Sequence, residues 1–72
     1  MDKQLIAKYL GCFGNGYKFE NEPGNVLIFK RCSMDFVRKY GLWTEMNINQ
    51  NFKIEYVYFD KETMVINKLV MI

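Results

Sequence analysis

Two pairs of extended apolar runs, each pair split by a tight turn, constrain this chain more than any other feature. Tyr17 to Glu20 and Val26 to Arg31 are rich in aromatic and β-branched residues, and Asn21-Glu22-Pro23-Gly24-Asn25 separates them with a turn-forming Pro-Gly pair. Phe52 to Phe59 and Met64 to Met71 are joined by Asp60-Lys61-Glu62-Thr63, the length and composition of a tight hairpin loop. Each pair reads as a β-hairpin.

The segments between them read differently. In Lys3 to Leu10, Leu5, Ile6, Tyr9 and Leu10 fall on one side of a helical wheel, with Lys3, Gln4 and Lys8 on another, and Gly11 follows as a stop. Ser33 is a fitting N-cap for a second helix through Tyr40, with Phe36, Val37 and Tyr40 facing inward, Arg38 and Lys39 outward, and Gly41 ending it. Thr44 to Asn51 is polar and asparagine-rich, hence a connecting loop. The expected fold is α+β, in the order α-β-β-α-β-β: a four-stranded antiparallel sheet with two helices on one face, each burying an apolar stripe. Residues 1–72 form one domain in this reading, without linkers or low-complexity tracts.

A chain of 72 residues buries only about 60% of its unfolded surface, so a large enclosed active site is not expected. Half of the residues are hydrophobic, enough to offset ordering entropy with a core. Ten basic residues against eight acidic ones leave a charge of +2, too balanced for a polycation that coats DNA or an anionic membrane. No run approaches the roughly 20 apolar residues of a membrane span, and no export signal is recognisable. Cys12 and Cys32 have neither the number nor the spacing of a disulfide framework, which favours two reduced thiols and a cytoplasmic location.

Little in the sequence points to catalysis. Histidine is absent, removing the commonest general base and zinc ligand. The only serine, Ser33, has a capping role, and neither cysteine has an identifiable base beside it. The glycines of Gly11-Cys12-Phe13-Gly14-Asn15-Gly16 follow an expected helix instead of preceding one, the reverse of a phosphate loop, and read as a helix stop plus a turn. Acidic residues fall mostly at turns or exposed positions, and Asp60 and Glu62 read as turn residues. No catalytic residue, metal ligand or cofactor is therefore assigned.

Binding has more support. Segments 3–18 and 26–42 carry Lys3, Lys8, Lys18, Lys30, Arg31, Arg38 and Lys39 against the single acid Asp35, interleaved with Tyr9, Phe13, Tyr17, Phe19, Phe29 and Tyr40. Such a mixture suits phosphate contacts combined with stacking, and Lys18, Lys30, Arg31, Arg38 and Lys39 are the candidate nucleic-acid contacts. The C-terminal hairpin carries apolar side chains on both faces: Phe52, Ile54, Tyr56 and Tyr58 on one, Val57 and Phe59 on the other. Tyr56, Tyr58, Phe59 and Met71 are accordingly candidates for a protein interface, covered by a partner or by a second copy in a homodimer.

Leu5-Ile6-Ala7-Lys8-Tyr9-Leu10-Gly11-Cys12, then Gly14-Asn15-Gly16-Tyr17-Lys18-Phe19 and Val26-Leu27-Ile28-Phe29, resembles part of the LAGLIDADG homing endonuclease family, and Phe36-Val37-Arg38-Lys39-Tyr40-Gly41-Leu42 is similar to a later segment of it, with Gly41 where proline is usual. The likeness covers roughly residues 5 to 42. The acidic dodecapeptide helix that names the family is missing, Phe13 looks inserted, and the stretch between Phe29 and Phe36 is shortened. The resemblance implies a helix-supported antiparallel sheet of the kind that family lays on DNA, without its cleavage centre.

Three functional expectations follow. The first is a non-enzymatic binding protein, from a phage or other mobile element, that engages nucleic acid or a protein complex that handles it. The second is an inhibitor of a host defence nuclease, such as a CRISPR effector, acting through the aromatic hairpin. The third is a minimal metal-dependent nuclease, which the missing histidine and scattered acids disfavour.

Overall fold

A computed structural model describes residues 3–14 and 16–72. Its elements are β1 (Lys3–Phe13), β2 (Gly16–Glu22), β3 (Asn25–Cys32), α1 (Met34–Tyr40), β4 (Asn51–Tyr58) and β5 (Met64–Met71). The strands close into a barrel in the order β1-β2-β3-β5-β4, every pairing antiparallel except β3 with β5. This corrects the expected α+β fold: among the described residues there is one short helix, not two, and five strands wrap into a barrel where four are expected in an open sheet.

The difference lies in the first segment. Leu5, Ile6, Tyr9 and Leu10 satisfy a helical period, but Leu5, Ala7 and Tyr9 equally satisfy a strand's period of two. The second pattern prevails: Ala7 and Tyr9 are buried, whereas Ile6 is 58% exposed. Only as a strand can this segment close the sheet. Its first half pairs with β4 from Lys3↔Tyr56 to Lys8↔Asn51, and its second with β2 from Lys8↔Glu20 to Phe13↔Gly16. The helix that the family resemblance implies over this stretch is thus a strand. Gly11, expected to stop it, instead sits where the β1–β2 register slips, at φ +133°. A bulge of this kind adds the bend that a small barrel needs.

Both hairpins form as expected. In the β4–β5 loop, Asp60 Oδ1 accepts from the backbone N–H groups of Glu62 and Thr63, each at 2.9 Å, and Phe59 N–H donates to Thr63 O at 2.8 Å. Helix α1 also lies where expected. Ser33 Oγ accepts from Asp35 N–H at 3.3 Å, and Gly41 takes the left-handed conformation (φ 58°) that ends it.

Aromatic rings fill the barrel. Tyr9, Phe19, Phe29 and Phe52 are all fully buried. Phe19 lies 4.9 Å from the Tyr9 ring, 5.6 Å from Phe29 and 6.0 Å from Phe52, ring to ring. Tilted and edge-on pairs of this kind add about 0.5–1.5 kcal/mol each beyond their buried area. Helix α1 covers one end of the barrel, with Val37 and Tyr40 buried and the Tyr40 ring 5.2 Å from Phe52. The segment after it is tied to β1: Tyr9 Oη donates to Leu42 O at 2.7 Å, Asn49 N–H to Tyr9 O at 2.8 Å, and Tyr9 N–H to Gln50 O at 2.9 Å.

Candidate nucleic-acid interface

Barrel closure leaves three strands side by side whose outward residues fall in rows. Residues directly opposite on paired strands face the same way, so Gly11, Lys18 and Ile28 form one row and Lys8, Glu20 and Val26 the next. A third runs from Phe13 through Gly16 to Lys30, for Gly16 lies against Lys30: a Cβ on residue 16 would be 3.2 Å from Lys30 Cα. Glycine at 16 keeps this row flat between an aromatic ring and a cation.

Charge on the face is uneven. Lys8 pairs with Glu20 at 3.5 Å, which neutralises the row that ends on Val26. Lys18 and Lys30 have no anionic partner among the described residues, nor has Arg31, which follows Lys30 at the β3–β5 register slip. The Lys18 ammonium stands 4.5 Å from the centre of the Phe13 ring, a cation–π contact that holds ring and charge together. Around these cations, Val26 is exposed and Ile28 half-buried. The result is a flat apolar surface with positive charge at one end.

An open groove of about 210 Å³ runs beside this charged end, lined by Leu10, Gly11, Cys12, Phe13, Trp43, Thr44, Glu45 and Ile48. Its position follows from strand pairing: beyond Lys8, β1 has left β4, and its freed edge faces the segment after α1. Two large aromatic side chains in it are exposed, Phe13 by 52% and Trp43 by 58%. Phe13 folds back over Gly11, where a Cβ would meet its ring at 3.3 Å. The larger depression, about 350 Å³, lies on the β1–β4 side against Gln4, Leu5, Ile6 and Lys53 and holds no aromatic ring.

The candidate cations thus divide. Lys18, Lys30 and Arg31 come together on the β2–β3 side, whereas Arg38 and Lys39 stand on the helical cap, Lys39 5.4 Å from the Tyr40 ring. The interface candidates divide as well. Tyr56 is half-buried, 5.3 Å from Phe29 and 6.1 Å from Tyr58, and Phe59 at the loop is 79% exposed. Met71 lies at the other end of β5, opposite Phe52, with its N–H 3.4 Å from Tyr40 Oη. Trp43 and Glu45 did not stand out in the sequence. A lone tryptophan directly after a helix-ending glycine and a buried leucine was the available signal.

Both cysteines are free thiols, Cys12 exposed and Cys32 half-buried; burial pushes the Cys32 thiol up to about 11. Burial likewise holds the Tyr9 phenol well above its usual range, as a hydroxyl committed to donating requires. Among the described residues, no three of Cys, Asp and Glu converge as metal ligands, and no helix is long and apolar enough to cross a membrane.

No family model, curated protein or solved structure matches the chain.

Proposed function

We propose that this is a cytoplasmic, non-catalytic binding protein that holds single-stranded nucleic acid across the outer face of β1, β2 and β3. The observation that carries the reading is the juxtaposition of Phe13 and Trp43, two exposed rings at one groove, with the cations Lys18, Lys30 and Arg31. Exposed rings stack on bases of any sequence, and the neighbouring cations follow the phosphates. A duplex keeps its base faces stacked inside, so rings placed this way favour an unpaired strand.

Architecture supports the same face. A five-stranded barrel of this strand order, with its helix between β3 and β4, has the design of the OB-fold, which binds oligonucleotides and oligosaccharides on strands 2 and 3 and on the loops after strands 1 and 4. Fold alone does not set function; here the aromatic and basic side chains select nucleic acid over sugar. The absence of histidine and the use of Ser33 as a cap support a binding role, and two free thiols suit a reducing compartment.

The test is the salt dependence of binding to a labelled thymidine oligomer. Each phosphate contact on a single strand contributes about 0.7 to the slope of log K against log salt. Replacing Lys18 and Lys30 with alanine should flatten the slope by roughly 1.4, while the same charge change at Arg38 and Lys39 should leave it nearly unaltered. Equal effects of the two double variants would refute placement on this face.

A second reading draws on Tyr58 and Phe59, both more than half exposed at the barrel mouth. Exposed aromatics of this kind anchor protein interfaces, as an inhibitor of a nuclease would need. Phe59→Ala separates the two: loss of a protein complex with oligomer binding intact favours the second.

A further inference from the structure

The groove beside β1 has a chemistry of its own, and its polar side chains differ in what they have free. Thr44 is fully engaged, its hydroxyl donating to Gly41 O at 2.7 Å and accepting from Met46 N–H at 3.1 Å. The Glu45 carboxylate has no hydrogen-bond or ion-pair partner among the described residues. It is the one carboxylate of a groove whose lining also includes Leu10, Phe13, Trp43, Ile48 and the exposed free thiol of Cys12. At about 210 Å³ the groove is below the roughly 300 Å³ at which drug-sized pockets begin, and suits one planar ring system.

A carboxylate beside a surface that binds phosphates repels the backbone of the strand, so the part of a nucleotide it can favour is a base edge. An ionised carboxylate only accepts hydrogen bonds, through two oxygens. Guanine alone among the standard bases presents two adjacent donors on its Watson–Crick edge, N1–H and the N2 amino group. Adenine and cytosine offer one amino group next to an acceptor nitrogen, and thymine or uracil one N–H between two carbonyl oxygens. Paired charge-assisted bonds of this geometry are both strong and selective.

We infer that the groove of Phe13, Trp43 and Glu45 is a guanine site, the two rings offering stacking surfaces and the Glu45 carboxylate accepting from N1–H and the 2-amino group. The inference rests on the single-strand reading above and adds base selectivity to it. Lys18 and Lys30 hold the strand irrespective of sequence, whereas Glu45 sets which base enters beside Trp43.

Trp43 is the only tryptophan, so its fluorescence reports the site directly. The experiment titrates the whole chain with a short thymidine oligomer carrying one central guanosine, and with the same oligomer carrying inosine, adenosine or cytidine there. Inosine keeps N1–H and loses only the 2-amino group. Guanosine should bind more tightly than inosine by on the order of tenfold, the worth of one hydrogen bond to a charged acceptor, with the strongest quenching. Glu45→Gln, whose amide offers one acceptor and one donor, should erase the guanosine–inosine difference without moving the melting temperature. Equal affinity for the four oligomers, with salt-dependent binding retained, would overturn the guanine site and leave the single-strand reading standing. Absence of binding to every oligomer would overturn both. The wild-type comparison of guanosine with inosine decides the matter even if the variant misfolds.

Discussion

Replacing Gly16 with alanine should damage both the barrel and its binding face, whereas the same change two residues earlier should do neither. Gly16 has φ +136°, a conformation that residues with a Cβ rarely adopt, and an added Cβ would run into the Phe29 carbonyl oxygen while lying 3.1 Å from the carbonyl carbon. Backbone in such a region costs about 1–3 kcal/mol, and forcing atoms into a packed site adds about 1–3 kcal/mol. The obstacle is backbone, so β2 and β3 must separate for the methyl group to fit. The sum is about 2–6 kcal/mol, and a domain of this size loses about 4–8 °C of melting temperature per kcal/mol. Gly16→Ala should therefore melt at least about 8 °C lower and, where still folded, bind a thymidine oligomer more weakly because Lys30 has moved from Phe13 and Lys18. At Gly14 an added Cβ meets nothing within 4 Å, so Gly14→Ala should stay within about 1 kcal/mol of the parent. Thermal melts by circular dichroism on both variants settle the point. Equal melting temperatures would refute the account of how β2 abuts β3.

Two further outcomes concern the interior. Tyr9→Phe removes the donor to the buried Leu42 carbonyl while preserving the ring, and should cost about 1–3 kcal/mol by leaving that acceptor unpaired; an unchanged melt would show that the contact does not anchor the post-helical segment. Cys32 carries a sign that can be worked out. Its thiol ionises near 9.0 when unfolded and at about 11 in the barrel, so between those values the unfolded chain binds fewer protons and stability must fall as pH rises. Denaturant melts from pH 8 to 11 should show a steeper decline in the parent than in Cys32→Ala. Parallel curves would contradict it.

Much of the local structure was legible in the sequence. Pro23-Gly24 and the Asp60 loop mark both hairpins, and Ser33 with Gly41 brackets α1, because turns and caps depend on residues close in the chain. The first strand was not, since five apolar residues in a short run fit a helix as well as a strand, and what decides between them is distant: β4, more than forty residues on, needs a partner to close the barrel. Gly11 reads as a helix stop for the same reason, as its positive φ serves a bulge that exists only in the strand. Of the proposed site, Lys18, Lys30 and Arg31 are cations that the sequence places among aromatic residues. Trp43 and Glu45 reach the end of β1 only through the hydrogen bonds of Tyr9 to Leu42, Asn49 and Gln50, a link between chain positions that no local pattern records.

Binding of a single strand to the outer face of β1, β2 and β3 can be followed residue by residue through backbone amide resonances during titration with a thymidine oligomer. Shifts should concentrate at Phe13, Lys18, Ile28, Lys30 and Trp43, lessen as salt is raised, and spare Lys53, Lys68 and Val70 on the opposite wall. Shifts centred on β4 and β5, or none at low salt, would contradict it.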